Sequence, residues 1–163
     1  MKYAGFGRRF WAMIFDLAVM NIAIMAVGGI ALSVSGYAID PVEMEEMQTA
    51  FNTGYAPDAF VLEKLMMSAL VYAVVSLIVV VVVDAIMPAT KYMASPGKLV
   101  LGMVVTDEEG NRISYGRAFG RHAGKALSGL TLGIGFLMAA FGETKQALHD
   151  KMAGTVVVRK RYL

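Results

Sequence analysis

The sequence predicts an all-α integral membrane protein: two firm transmembrane helices, a short third hydrophobic segment, amphipathic surface helices and a small cytoplasmic β element. Three observations predict it. Two long apolar runs are interrupted by a single charge between them. Hydrophobic residues make up 57% and charged residues 17% of the chain, against about 25% charged in soluble domains. Lysine and arginine are also concentrated in some connecting segments and nearly missing from another. The 163 residues suit one domain, so 1–163 is read as a single membrane domain.

The first run, residues 10–34, has 25 residues and one charge, Asp16. At 1.5 Å per residue it exceeds a hydrocarbon core of about 30 Å. A cleaved signal peptide is the weaker reading, because its apolar region is usually about 7–15 residues long and lacks an acid. The second run, residues 65–83, is valine-rich and uncharged, and the span is drawn to about residue 86. The third, residues 126–141, is short and carries Gly129, Gly133 and Gly135. It reads as re-entrant or spanning.

Loop charge sets the expected orientation. The start carries Lys2, Arg8 and Arg9. The connection 35–64 carries six acids against Lys64, whereas residues 91–125 carry six lysines or arginines and the tail carries Lys145, Lys151, Arg159, Lys160 and Arg161. The positive-inside rule places both termini in the cytoplasm and 35–64 outside, in a cell (inner) membrane. A full third span would reverse the tail, so the re-entrant form of 126–141 is favoured.

Within the outer connection, Asp40-Pro41-Val42-Glu43 has the form of a capped helix start, and Met44, Met47 and Phe51 follow on one face. This predicts a short amphipathic helix, lying on the membrane or packed as a lid. Asp58 is placed to cap the second span. After that span, Ser95-Pro96-Gly97-Lys98 reads as a turn, 99–106 as a strand, 107–111 as a loop, 112–115 as a return strand and 155–158 as a further strand.

From Tyr115 the pattern is helical. Gly116, Gly120, Gly124 and Ser128 recur every four residues, and with Gly129 and Gly133 they predict close helix packing, within the chain or between copies in a homo-oligomer. Flexibility is the bland alternative. Arg117, Arg121 and Lys125 form a parallel row suited to anionic lipid headgroups.

Asp16 is the sharpest candidate for chemistry, because an ionised acid at that depth must be paired, protonated or wet. Asp84, Ser76, Tyr72 and His149 are further candidates for an ion or proton path. Ser76 also fits a plain helix contact, and a lone histidine is more often structural. The chain has no cysteine and its two histidines lie far apart, so neither a metal site nor a cofactor is expected. No catalytic constellation is present, so an enzyme is not expected. A net charge of +2 gives no case for nucleic acid. The expected partners are the bilayer, further copies and a small cation.

The motifs resemble those of the RDD family of small multi-pass membrane proteins. The resemblance rests on residues 5–12 with Asp16, on 95–98 with Leu101-Gly102-Met103, on 107–110, on Gly116-Arg117-Ala118, and on the closing stretch 146–158. Ser95 stands where the family commonly has threonine, which keeps the hydroxyl. The stretch 84–94 has no fixed place in the family pattern. The resemblance implies that Arg9, Asp16 and Asp150 are the residues for which the family is named. They are expected to form one polar network. It also implies transport, with cation–proton exchange proposed for some members, or else assembly within a membrane complex. The reading is therefore transport or permeation of a small cation, coupled to protons, with a non-transporting assembly subunit as the alternative.

Overall fold

The structure, a computed structural model, describes residues 2–130 and 133–162. Among the described residues, two helices are long and apolar enough to cross a membrane, Phe6–Ser35 (α1) and Ala59–Ala89. The second is α-helical over Ala59–Val81 (α3), continues as a π-helical turn over Val82–Ile86 and ends in a 3₁₀ turn over Met87–Ala89. Both begin before the apolar runs do. Asp58 starts α3 early by accepting from the Phe60 N–H at 2.9 Å, which draws Glu63 and Lys64 into the helix.

The chain divides into two compact units. Asn21–Val79 holds α1 from Asn21 onward, α3 as far as Val79 and the helix between them, Pro41–Thr53 (α2). The predicted cap of α2 is present: Asp40 Oδ1 accepts from the N–H groups of Val42 and Glu43, and Glu43 Oε2 accepts from the Asp40 N–H, all at 2.9 Å. Lys64 donates to both Glu43 oxygens at 2.6 and 2.7 Å, and the Asp58 N–H donates to Glu46. No side chain of α2 is buried, and Phe51 is 85% exposed. α1 and α3 approach closely at Gly28, where an added Cβ would lie 2.5 Å from the Tyr72 ring.

Met1–Met20 with Val80–Leu163 forms the other unit. Its center is a two-stranded antiparallel sheet, Met103–Asp107 (β1) and Thr155–Arg159 (β2), with Val105 opposite Val157. Both faces are buried. Met103, Val105 and Val157 pack with Ala4, Ala12, Ala89, Ile113 and Ala118, while Val104, Val156 and Val158 pack with Ala94, Leu99 and Tyr3. A lone ribbon is marginal in water. Here irregular chain extends it on each side: Ala4 N–H donates to Val157 O, Arg159 N–H to Lys2 O, and Val105 N–H to Met93 O.

Several expectations need correction. Ser95-Pro96-Gly97-Lys98 is not a turn. Ser95 is extended, and proline follows at the first position of a short helix, Pro96–Val100 (α4), so the strand starts only at Met103. The return strand at 112–115 is reduced to one bridge, Thr106 to Arg112, because Ser114 already begins the next helix by accepting from the Ala118 N–H. That helix is Tyr115–Leu130 (α5). Of the third apolar segment, Thr131 and Leu132 lie outside the described residues. The helix after them, Ile134–Leu137 (α6) with its 3₁₀ extension to Ala140, is bent by 116° from α5. A last short helix, Leu148–Met152 (α7), precedes β2.

Candidate functional site

Two buried aspartates organise the unit that contains the sheet. Asp150, on α7, is 0% exposed. Its Oδ2 pairs with Arg9 Nη1 and accepts from the Ala147 N–H at 3.2 Å, and its Oδ1 accepts from Arg121 Nε at 2.8 Å. Arg9 Nε also donates to Ala4 O at 3.1 Å. Burial acts to raise the Asp150 pKa, but Arg121 foremost, with Arg9, holds it well below the ordinary carboxylate range. The carboxylate therefore ties α1, α5 and the tail together as a fixed ionic clasp.

Asp16 is 7% exposed and has different partners. Its Oδ2 accepts from Ser95 Oγ at 2.6 Å, its Oδ1 accepts from the Gly97 N–H at 2.7 Å, and Lys98 Nζ lies 3.6 Å away. Lys98 Nζ in turn donates to Ser95 Oγ at 2.7 Å. The approach requires glycine at position 97, since a Cβ there would lie 2.2 Å from the Ala12 carbonyl oxygen. Burial, with the nearby charges of Lys125 and Arg121, pulls the Lys98 pKa from 10.5 down to about 7, while Asp16 and Asp84 oppose the fall. The expected single network of Arg9, Asp16 and Asp150 is thus two separate clusters. Seven residues at 1.5 Å put Asp16 about 10 Å along α1 from Arg9, beyond direct pairing.

Asp84 sits in the π-helical turn, a feature often found at functional sites. It pairs with Lys125 and lies 3.1 Å from His122 Nδ1. The expected headgroup row is therefore split. Arg121 is 2% exposed and Lys125 is turned toward Asp84, because the side of α5 that bears Ala118, Gly124 and Ser128 is packed. Arg117 alone of the three is exposed, 3.9 Å from Asp107.

The glycine row is split in the same way. A Cβ at Gly124 would meet His149 at 3.0 Å, so this glycine seats α5 on α7. Gly120 and Gly129 face open space, and at Gly116 only the Ser114 hydroxyl lies as near as 4.0 Å. Gly133 has φ +82°, which starts α6. Ser76 Oγ donates to the Tyr72 carbonyl at 2.6 Å, an ordinary helix back-bond.

His149 is 5% exposed, 5.4 Å from the Phe136 ring. Burial first, then the charge of Arg121, lowers its pKa to about 3, so it is neutral at physiological pH and unsuited to shuttling protons there. Lys98 and Ser95 were missed as partners. The signal was available, since a buried acid needs donors and this four-residue motif holds a hydroxyl and an amine.

A cavity of about 570 Å³ joins these groups. Arg9, Asp16, Asp84, Lys98, Arg121 and Lys125 line it, together with apolar side chains of α1 and α6. Among the described residues no cluster of three metal-ligating acids or histidines occurs.

The RDD family model matches residues 3–154. The chain is also 33% identical to the uncharacterized protein YxaI of Bacillus subtilis (strain 168) over 162 residues, which is 98% of this chain and 99% of that one. No solved structure matches. The two apolar helices, the motif positions that build both aspartate clusters and the match across nearly the whole length agree: this membrane protein belongs to the RDD family.

Proposed function

We propose that the protein exchanges a small monovalent cation for protons across the membrane, with Asp16 and Lys98 as the exchanging pair. The observation that supports this reading is a buried lysine beside a buried acid on the wall of a cavity. Lys98 acts as a built-in competitor. While it holds its proton, its ammonium neutralises Asp16. When the proton leaves, Asp16 needs another cation, and a monovalent ion restores the same charge. The exchange of one proton for one such ion is then electroneutral within the cavity. Asp16 supplies the carboxylate and Ser95 the hydroxyl oxygen that suit a hard cation. The clasp at Asp150 keeps α1 and the tail in register while this happens.

The reading includes both termini in the cytoplasm and a homo-oligomeric path, since one small chain encloses little volume. Cysteines at Phe51 and Glu109, tested with an impermeant reagent on intact cells, report the first: labelling at Glu109 counts against it. A monomeric mass in nanodiscs counts against the second.

Flux by the purified protein in sealed vesicles tests the exchange. A proton-sensitive dye inside the vesicles is expected to respond to an inward gradient of sodium, lithium or potassium. Asp16→Asn is expected to remove the response. An assembly subunit is the second reading, favored by the large apolar surface of α1 and α3, of which only 11% and 17% of the apolar windows are buried. No dye response to any of these cations moves the function to that reading.

A further inference from the structure

The cavity carries more positive than negative charge. Arg9, Arg121, Lys98 and Lys125 face three carboxylates, Asp16, Asp84 and Asp150, and His149 is neutral. One positive charge is therefore in excess while Lys98 holds its proton. Arg9 Nη2 and Arg121 Nη1 are buried with no hydrogen-bond partner among the described residues, and each arginine lines the cavity. The rest of the wall is apolar, with Phe10, Met13 and Leu17 on successive turns of α1 and Phe136 and Leu137 on α6.

We propose that this cavity binds an amphiphilic monoanion, its oxyanion head at the end held by Arg9 and Arg121 and its tail along the apolar wall, and that in the bilayer the ligand is an anionic phospholipid. A single negative charge matches the single excess positive charge, and a tailed ligand matches the wall. This site replaces the exposed basic row as the place of headgroup contact. The proposal does not rest on cation exchange, and it holds equally for an assembly subunit. It makes lipid affinity depend on the Lys98 proton. The charged groups around that amine are Asp16 on α1, Asp84 on the π-helical turn, and Arg121 and Lys125 on α5. Loss of the proton, with no cation taken up in its place, cancels the excess, and the anion is then held less tightly.

The test uses the purified full chain in neutral detergent, titrated with phosphatidylglycerol, with phosphatidylcholine of the same acyl chains, and with inorganic phosphate. Bound lipid is counted by native mass spectrometry. Saturable binding of one phosphatidylglycerol per chain is expected, about fivefold tighter than phosphatidylcholine for one unit of charge. It should weaken by a similar factor between about pH 6 and about pH 9 as Lys98 loses its proton. Lys98→Met should lose the preference at the lower pH, and Arg117→Gln, on the exposed row, should keep it. If Lys98→Met does not fold, the pH series on the unaltered protein decides. Equal affinity for the two lipids overturns the proposal, as does loss of the preference in Arg117→Gln. Displacement of the lipid by inorganic phosphate assigns the head position to a soluble oxyanion and overturns the lipid assignment.

Discussion

Asp150 and Asp16 are both buried acids in the same unit, yet they are balanced by different chemistry. Asp150 is held between two arginines, which stay charged at any physiological pH. Asp16 is held by a hydroxyl, a backbone N–H and one lysine whose pKa burial brings to about 7. The first cluster cannot adjust its charge and works as a fastening. The second can release a proton when its surroundings change. The difference between guanidinium and ammonium divides an acid whose counter-charge is fixed from one whose counter-charge varies with pH.

The largest expected effect comes from breaking the fixed cluster. Asp150→Asn leaves Arg9 and Arg121 without their shared counter-charge in a buried site. Removing one partner of such a pair costs about 3–5 kcal/mol. Thermal unfolding in detergent should show a large fall in midpoint, and expression should drop. A variant as stable as the parent means that the two arginines are balanced by some other group.

Gly97→Ala tests the other cluster through the backbone. The added methyl meets the Ala12 carbonyl oxygen, which cannot move aside as a flexible side chain would. Overpacking of this kind costs about 1–3 kcal/mol or more. The contrasting change Gly120→Ala meets nothing, and there alanine in place of glycine should stabilise α5 by about 1 kcal/mol. Comparison of the two midpoints separates a packing glycine from a spare one.

Asp16→Asn should cost less stability than Asp150→Asn. Asparagine still accepts the Gly97 N–H, and Lys98 can shed its proton instead of remaining as an unpaired charge. About 1–3 kcal/mol is expected, together with the loss of any proton-coupled flux. A fall as large as that of Asp150→Asn would mean that Asp16 is a second clasp.

The two clusters also differ in pH dependence. Lys98 has a folded pKa of about 7 against an ordinary 10.5. Between these values the unfolded chain holds a proton that the folded chain lacks, so stability should rise with pH across that window and be flat in this respect below it. His149, lowered from 6.5 to about 3, should make stability fall as pH drops through that lower window. Lys98→Met should lose the upper rise and keep the lower fall when unfolding is measured across both ranges.

Much of the scaffold was legible from local pattern. Apolar length marks α1 and α3, and the Asp40 box marks α2, because span length and capping depend on residues close in sequence. The β-branched run at 155–158 marks β2 for the same reason. The third segment is less legible, since three glycines in a short apolar stretch fit more than one backbone path. The candidate site was legible only in part, since Ser95, Gly97 and Lys98 were not singled out as partners of Asp16. Arg9, Asp16 and Asp150 were identifiable through family motifs, yet their joining into one network was wrong.

By itself the sequence determined that this is a membrane protein of the RDD family, where its two spanning helices lie, and that acids at positions 16 and 150 need partners. Only the tertiary structure decided which partners they take. Arg121 lies 29 residues from Asp150, and Ser95 and Lys98 lie about 80 from Asp16. A hydrogen-bonded ion pair depends on distance in space, since its donor and acceptor must meet within about 3 Å. Neither the spacing along α5 nor the turn-like look of 95–98 carries that distance. Folding of β1 against β2, with the N-terminal segment beside them, brings those positions together.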